Sequence, residues 1–291
     1  MPKNFDTPLV SVIIPTYNRA WTLKKAIDSV LKQDYKNFEL IVVDDGSTDS
    51  TEKLLLSYAD SIKIIQQDNQ GVSASRNRGI KAAAGDLIAF LDSDDYWYPE
   101  KLSAQVDFFN ANAEALVCQT EELWIRNGKR VNPKKKHQKL SGMIFKPSLA
   151  LCLISPSAVM IRKKLFGAIS WFDESFPACE DYDMWLRVTC RYPVYLIKTP
   201  LTVKTGGHAD QLSGAPGLDK YRIYALRKIL KNESLTDEQY DAAQKMLQEK
   251  CKIYADGCAK HGRETVAMYY HRLAEEVENK IKKAESLKEK D

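Results

Sequence analysis

The sequence has no apolar run that approaches the roughly 18 residues needed by a membrane-spanning helix. Residues 1–6 also lack the apolar segment of a secretory signal. None of the six cysteines has a second cysteine at the CxxC spacing that is typical of metal and redox motifs. We therefore expect reduced thiols and a cytoplasmic protein without a membrane span.

A strong charge of either sign is also missing. The formal net charge is +4 at pH 7 over 291 residues, whereas a nucleic-acid-binding protein usually has a larger basic excess. We therefore expect no nucleic-acid partner. The mild positive charge is compatible with anionic lipid, so the expected location includes peripheral contact at the inner face of the membrane. The hydrophobic share of 44% is ordinary for a globular protein and is enough for one large core or two modest ones.

What the sequence does contain, in its first third, is an alternation of apolar runs and amphipathic segments. The apolar runs predict buried strands at residues 9–14, 38–43, 62–65 and 87–91. Helical spacing lies between them, at residues 20–33, around 54–55 and at 71–84. This alternation predicts a mostly parallel sheet with helices on both faces, in which ligands bind beyond the carboxyl ends of the strands. The loops at Thr16, Asp44 and Asp92 are therefore expected to meet at one edge.

The most informative stretch is Phe90–Asp95, where three carboxylates follow an apolar run. Acids this close together repel one another unless a cation or hydrogen-bond donors offset their charge. Hard divalent cations such as Mg²⁺ take oxygen ligands and keep positions open for phosphate. Asp92 and Asp94 therefore suggest a metal that holds a phosphorylated ligand. The alternative is a solvated acidic turn that caps the helix starting near Pro99.

Beyond Asp95 the regular alternation ends. Helical spacing at 99–112 is followed by strand-like runs at 115–125, 158–161 and 194–197. Asn127-Gly128 is a hairpin turn signal, and the segment 204–217, rich in Gly and polar residues, predicts a mobile loop. We interpret the basic run 134–137 as a solvated loop, with binding of an anionic acceptor or a membrane headgroup as the alternative.

The pattern from Leu218 onward is helical. A capping box at 236–239 precedes two apolar stripes separated by a break near Gly262. These stripes predict a helical hairpin that packs on the body of the protein or on a partner, including a homodimer formed through these helices. The predicted organisation is therefore residues 1–95, 96–217 and 218–291.

Five stretches, taken in order, resemble family 2 glycosyltransferases of the GT-A fold. They are Val12–Arg19, Val42–Ser47, Gly71–Asn77, Phe90–Asp95 and Glu180–Arg187. The resemblance implies an α/β GT-A fold, which is a Rossmann-like nucleotide-binding sheet with a mixed central sheet, here with a C-terminal helical extension. Residues 1–95 are then the nucleotide-sugar-binding half, and residues 96–217 the acceptor-binding half.

The same resemblance implies an inverting, metal-dependent enzyme. It would move a sugar from a nucleotide diphosphate sugar, with a UDP-sugar as the expected donor, to a hydroxyl of a glycan or lipid-linked acceptor. The implied nucleotide-binding residues are Pro15, Tyr17, Asn18, Asp45, Arg76, Asp92 and Ser93. In this set Asp45 accepts the imino N–H of uracil, Arg76 contacts a phosphate or the base, and Asp92 holds the ribose hydroxyls.

The metal, Mn²⁺ or Mg²⁺, is assigned by the resemblance to Asp94 and His208. The diphosphate leaves with growing negative charge, which a divalent cation stabilises as a Lewis acid. An ordinary surface histidine is the alternative interpretation of His208.

Catalysis is assigned by the resemblance to Asp181 as the general base, with Glu180 positioning the acceptor. A helix N-cap is the alternative for Asp181. Two other functions fit the sequence less well than sugar transfer does. A nucleotidyltransferase would typically have a Gly-rich loop with Arg or Lys after the first strand, where this chain has Thr16-Tyr17-Asn18. A nucleotide-sugar-binding module with a degraded site is disfavoured because the acidic residues and His208 are all present.

Overall fold

The computed structural model of the chain describes residues 7–208, 211, 216–232 and 235–288. Within these residues the strands are β1 (Val10–Thr16), β2 (Phe38–Asp44), β3 (Lys63–Gln66), β4 (Leu87–Phe90), β5 (Tyr96–Trp97), β6 (Val117–Arg126), β7 (Lys129–Val131), β8 (Val159–Arg162) and β9 (Tyr195–Gly206). The helices are α1 (Ala20–Leu31), α2 (Thr51–Leu56), α3 (Val72–Ala82), α4 (Lys101–Ala111), α5 (Phe145–Ala150), α6 (Leu165–Ile169), α7 (Glu180–Thr189), α8 (Leu218–Asn232), α9 (Asp237–Lys260) and α10 (Glu264–Lys288).

The strands form one mixed sheet in the order β3-β2-β1-β4-β8-β6-β9-β5, with β7 paired to β6. The first four strands in this order are parallel, β8 is antiparallel to both of its neighbours, and β9 is parallel to β6. The carboxyl ends of β1, β2 and β4 therefore lie at the same edge of the sheet. The predicted alternation of strands and helices, and the expected meeting of the three loops, are confirmed.

The parallel strands are buried on both faces because helices cover each side. Val12 and Ile14 belong to the same core cluster as α1, while Ile13 points to the other face and shares a cluster with Ile80 of α3, as the two-residue period of a strand requires. A Cβ atom at Gly79 would lie only 2.4 Å from Cγ2 of Ile13. Glycine at this position therefore lets α3 pack directly on β1.

The long strand β9 differs from the prediction. The expected strand at 194–197 is the start of a 12-residue strand, so Lys204–Gly206 are strand residues and not part of a loop. Leu201 and Val203 are buried, and this alternation with polar neighbours is a strand pattern that the nearby glycines obscured. Residues 209–210 and 212–215 of the predicted loop lie outside the described residues.

The pairing of β6 with β9 contains a bulge. The register shifts between Thr120 and Glu122, and the shift divides β6 into two parts. Val117–Thr120 are buried, whereas the residues from Glu121 to Arg126 are partly or fully exposed. The second part of β6 therefore forms a surface of the sheet and not its core.

The C-terminal region comprises three helices within the described residues. α9 and α10 pack on each other, and α8 packs between α9 and α7. A shared core cluster includes Tyr182 and Leu186 of α7, Leu226 of α8 and Leu247 of α9, so these helices dock on the body of the protein. Thr236 and Gln239 form the predicted capping box at the start of α9. In the described part of the chain, no helix has the length and apolarity to cross a bilayer.

Lys101 lies in the core, although lysine is rarely buried without a partner. Its side chain is fully buried, with Nζ 3.7 Å from the centre of the Trp97 ring and 3.5 Å from the carbonyl oxygen of Val159. Burial lowers the pKa of Lys101 well below its ordinary value of 10.5. Folding therefore either desolvates or deprotonates this ammonium group.

We expect Lys101→Met to raise the free energy of unfolding by about 1–3 kcal/mol at pH 7, because it removes that cost. The gain should shrink as the pH rises towards 10.5, since the unfolded lysine then also loses its proton. Urea unfolding at pH 6 and pH 9 measures both effects, with the exposed Lys53→Met as the control. A destabilised Lys101→Met variant would instead mean that the Trp97 ring compensates the charge.

Candidate active site

A cavity of about 940 Å³ opens at the edge of the sheet where β1, β2 and β4 end. It brings together all of the sequence-predicted site residues except His208, namely Pro15, Tyr17, Asn18, Asp45, Arg76, Asp92, Ser93, Asp94, Glu180 and Asp181. His208 is not a lining residue but contacts Asp94 through its ring. Residues from distant parts of the chain therefore converge at one site.

The two loops after β1 and β2 are held to each other by Asn18 and Asp44. Asn18 has a positive φ of 52°, a conformation that asparagine tolerates better than most residues. Its Oδ1 accepts hydrogen bonds from the backbone N–H groups of Thr48 at 2.7 Å and Asp49 at 3.2 Å. Asp44 accepts from the N–H of Ser47, three residues further on, at 3.1 Å, and Ser47 Oγ in turn accepts from the N–H of Asn18 at 2.8 Å. These contacts fix the loops, while Tyr17 remains 46% exposed beside the cavity.

Asp45 is buried where β2 ends and α3 begins. Its Oδ1 accepts from Gln67 Nε2 at 2.7 Å and from the N–H of Gln70 at 3.0 Å, and its Oδ2 accepts from the N–H of Gly71 at 2.8 Å. A carboxylate offers about four lone-pair sites. Asp45 therefore anchors the start of α3 and retains capacity for one further donor, such as a ring N–H.

Arg76 connects three parts of the site. Its Nη1 donates to Glu180 Oε1 at 2.6 Å and its Nη2 donates to Asp92 Oδ1 at 2.8 Å, and only 4% of its side chain is exposed. Burial opposes its charge, but the two carboxylates outweigh burial and raise the pKa of Arg76 above its ordinary value. The prediction gave Arg76 a phosphate or base contact, whereas both terminal nitrogens here hold carboxylates. The partners are too far apart in sequence for the sequence to indicate this pairing.

Asp95, the third carboxylate of the Asp92–Asp95 loop, has a structural role. It is buried, and it accepts hydrogen bonds from Ser157 Oγ at 2.6 Å and from the N–H of Thr205 at 2.9 Å. Burial raises the pKa of Asp95 well above its ordinary value, and the charges of Asp94 and Asp92 raise it further. Asp95 therefore holds the end of β9 against the loop that carries the other two acids.

Asp94 and His208 face each other across that loop. Asp94 Oδ2 lies 2.9 Å from His208 Nε2, and the side chains are 18% and 17% exposed. Burial and the neighbouring charge of Asp92 raise the pKa of Asp94, while His208 opposes this shift. The ring of Trp21 packs edge-on against His208, with 5.3 Å between ring centres. An oxygen and a nitrogen ligand are thus held together in a negatively charged environment that a cation would stabilise.

Glu180 and Asp181 form the first turn of α7 and point into the cavity. The helix begins after Cys179, which has a left-handed backbone with φ of 62° and occupies the N-cap position. The alternative interpretation of Asp181 as the N-cap is therefore wrong. Asp181 Oδ2 accepts a hydrogen bond from Cys152 Sγ at 3.5 Å. Burial raises the pKa of Glu180, and Arg76 opposes the shift.

The opposite wall of the cavity was predicted only in part, because the basic run 134–137, for which an anionic acceptor was the alternative interpretation, contributes His137 to it. It comes from the part of β6 beyond the bulge, from β9 and from the segment after β7. Its lining residues include Glu122, Trp124, Arg126, His137, Lys139 and Lys204. The alternation of Glu122, Trp124 and Arg126 along β6 is the signal that could have revealed it, because alternate residues of a strand share one face.

A mixed sheet with clustered acids at the carboxyl ends of its first strands is the arrangement expected of a glycosyltransferase with the GT-A fold. The chain belongs to glycosyl transferase family 2, whose model matches residues 11–169.

For two sequence relatives, the matched region spans most of the relative's length. The chain is 39% identical over 245 residues to the uncharacterized glycosyltransferase RT0329 of Rickettsia typhi, covering 81% of this chain and 77% of that protein. It is 36% identical over 188 residues to an Escherichia coli protein named UDP-Glc:alpha-D-GlcNAc-diphosphoundecaprenol beta-1,3-glucosyltransferase WfgD, covering 63% of this chain and 70% of that protein. By contrast, the chain spans only 30% of an uncharacterized glycosyltransferase of Rickettsia bellii, at 37% identity.

Two solved structures share the fold. TarS 1–349 of S. aureus, in complex with UDP-GlcNAc, has a TM-score of 0.67 and 24% identity, and the match covers 84% of this chain and 71% of TarS 1–349. The mannosyltransferase PcManGT of Pyrobaculum calidifontis, in complex with GDP-Man and Mn²⁺, has a TM-score of 0.60 and 17% identity, and the match covers 92% of this chain and 79% of PcManGT. At these identities the likeness shows the GT-A fold alone, and it confirms the predicted fold class.

Proposed function

We propose that this enzyme transfers a sugar from a UDP-sugar to a hydroxyl group of a glycan or lipid-linked acceptor, with inversion at the anomeric carbon. The observation that carries the proposal is that Asp45, Asp94 and Asp181 line one cavity, with the ring of His208 in contact with Asp94. Each supports a different requirement of the reaction. Asp45 would recognise the nucleotide, Asp94 with His208 would hold the cation that stabilises the diphosphate, and Asp181 would activate the acceptor.

The donor assignment rests on Asp45 and on the loops around it. The remaining acceptor capacity of Asp45 suits the imino N–H of uracil, and the exposed ring of Tyr17 offers a face for the base. Asp92 and Ser93 line the cavity next to the metal residues, where they would hold the ribose hydroxyls. The complex of TarS with UDP-GlcNAc and the UDP-Glc donor in the name of WfgD support a uridine nucleotide.

The residues at Asp94 fit a hard divalent cation, either Mn²⁺ or Mg²⁺. Among the described residues no three His, Cys, Asp or Glu side chains converge as ligands, so Asp94 and His208 would supply two ligands, with diphosphate and water oxygens as the others. When bound, the cation stabilises the charge on the leaving diphosphate. The Mn²⁺ in the PcManGT complex supports this assignment.

Asp181 is the proposed general base, because it is placed in the cavity with one carboxylate oxygen engaged only by a weak thiol donor. It would take the proton of the acceptor hydroxyl as that oxygen attacks the anomeric carbon. Glu180 is fixed by Arg76 and would position the acceptor. The lipid-linked acceptor in the name of WfgD supports an acceptor of this kind, used at the inner face of the membrane by a peripheral, cytoplasmic enzyme.

The metal role is tested with Asp94→Asn, which keeps the shape of the side chain and removes its charge. We expect the Mn²⁺-dependent hydrolysis of UDP-sugar to fall by about 10²-fold or more, because the leaving diphosphate loses its stabilisation. Calorimetry should show weaker Mn²⁺ binding to the UDP-saturated protein. The exposed Asp60→Asn serves as the control, and an intact hydrolysis rate in Asp94→Asn would remove Asp94 from the metal site.

A further inference from the structure

The wall of the cavity opposite the acidic cluster has an aromatic and basic character that the donor and the metal leave unused. We propose that this basic wall, formed by Trp124, Arg126, His137 and Lys204, binds a phosphate group of the acceptor. The acceptor would then be a sugar phosphate or sugar diphosphate, and not a neutral glycan. The inference rests on the proposed function and narrows its acceptor class.

The indole of Trp124 is held in place by buried charges beneath it. Its Nε1 donates to Glu122 Oε2 at 3.1 Å. Glu122 in turn forms an ion pair with Lys139 at 3.2 Å, in which the side chains are only 6% and 5% exposed. Lys139 also donates to Gln119 Oε1 at 2.8 Å. This chain of contacts fixes the indole on the cavity side of β6, where a flat apolar ring can contact a sugar.

Two further cations flank the indole. The guanidinium carbon of Arg126 lies 5.7 Å from the centre of the Trp124 ring. Lys204 is the register partner of Trp124 on the neighbouring strand β9. Neither Arg126 nor Lys204 makes an ion pair or a hydrogen bond through its side chain within the described part of the chain. The donor groups of Arg126 are therefore available to an anion, and guanidinium groups suit phosphate oxygens well. Burial opposes the charge of Lys204, but nearby carboxylates, of which Glu122 has the largest effect, balance that charge and raise the pKa of Lys204.

His137 also lies among positively charged side chains. Its ring lies 5.1 Å from that of Trp124. Burial lowers the pKa of His137, and the cations Lys136, Arg126, Lys134 and Lys204 lower it further. The positive electrostatic potential near His137 attracts anions to this side of the cavity.

The acceptor is the substrate that this wall faces. The donor diphosphate is assigned to the acidic side of the cavity at Asp94, and the charge of Lys204 interacts with both Asp181 on that side and Glu122 on the other. A molecule seated on Trp124 and Arg126 therefore shares one cavity with the proposed base. A sugar on the indole with its phosphate at Arg126 satisfies both features of the wall.

The test uses the full chain saturated with UDP and Mg²⁺, titrated by calorimetry with α-GlcNAc 1-phosphate, with its uncharged methyl α-glycoside and with inorganic phosphate. We expect the sugar phosphate to bind at least tenfold more tightly than the glycoside. Arg126→Gln should weaken binding of the sugar phosphate by about tenfold or more, because a charge-assisted hydrogen bond is lost. UDP affinity and binding of the glycoside should be unchanged.

Arg130→Gln is the matched control, since Arg130 pairs with Ile125 and therefore lies on the opposite face of the same hairpin. Equal binding of phosphate and glycoside, or no effect of Arg126→Gln, would overturn the inference while UDP binding still supports the donor site. Failure of UDP to bind would instead count against the proposed function. Vesicles of phosphatidylglycerol form the last arm: binding to them through Arg126, without binding of the sugar phosphate, would assign the wall to lipid headgroups and overturn the acceptor assignment.

Discussion

Replacing Asp181 with asparagine is expected to lower the rate of sugar transfer by about 10²–10⁴-fold, which is the usual contribution of a positioned general base. Asparagine keeps the size of the side chain but cannot take the proton of the acceptor hydroxyl. Asp181 lies in the first turn of α7 on the cavity side, and its removal leaves the donor loops untouched. UDP affinity should therefore stay within twofold of the original value.

The measurement separates catalysis from binding by comparing kcat for transfer with the Kd for UDP. Asp237→Asn is the matched control, because Asp237 is an exposed acid in the first turn of α9. It reproduces any general effect of losing an acid at a helix N-terminus. Full activity in Asp181→Asn would show that another group accepts the proton, and Glu180 would be the next candidate.

The second large effect is expected for Arg76→Met. The change removes the partner of two carboxylates, one of which, Glu180, is 8% exposed, and methionine cannot donate a hydrogen bond to either. Breaking a buried ion pair from one side costs about 3–5 kcal/mol, because the remaining charge is left unpaired. Asp92 is 28% exposed and is partly screened by solvent, so we expect about 3 kcal/mol.

Urea unfolding at pH 7 measures this loss, and Arg78→Met on the exposed side of the same helix should change stability by less than about 0.5 kcal/mol. The double variant Arg76→Met with Glu180→Gln should recover part of the stability, since it removes the buried charge. If Arg76→Met unfolds at the same urea concentration as the original protein, the ion pairs do not hold the three segments together.

Local pattern predicted the first third of the fold well. The strands that end at Thr16, Asp44 and Phe90 are continuous apolar runs, and parallel strands bring their ends to one edge whatever the details of packing. The site residues on those loops could therefore be placed together from sequence. The resemblance added Glu180 and Asp181, which no local pattern connects to that edge.

The remaining features depend on contacts between distant segments. The ion pairs of Arg76 reach across 104 residues to Glu180, and the Glu122–Lys139 pair became visible only once β6 and the segment after β7 were adjacent. The length of β9 was missed because glycine-rich composition outweighed a weak strand alternation. Cys179 as the N-cap could not be predicted, since cysteine has no strong preference for that position.

The bulge between β6 and β9 has a consequence for how enzymes of this shape can diversify. Before the bulge, residues of β6 fill the interior, so substitutions there are constrained by packing. After it, the side chain of Glu122 is buried in its ion pair with Lys139, but residues 123–126 are partly or fully exposed and can be exchanged at little cost to folding. This wall of the cavity can therefore change within one strand pair, while the loops after β1, β2 and β4 are left as they were.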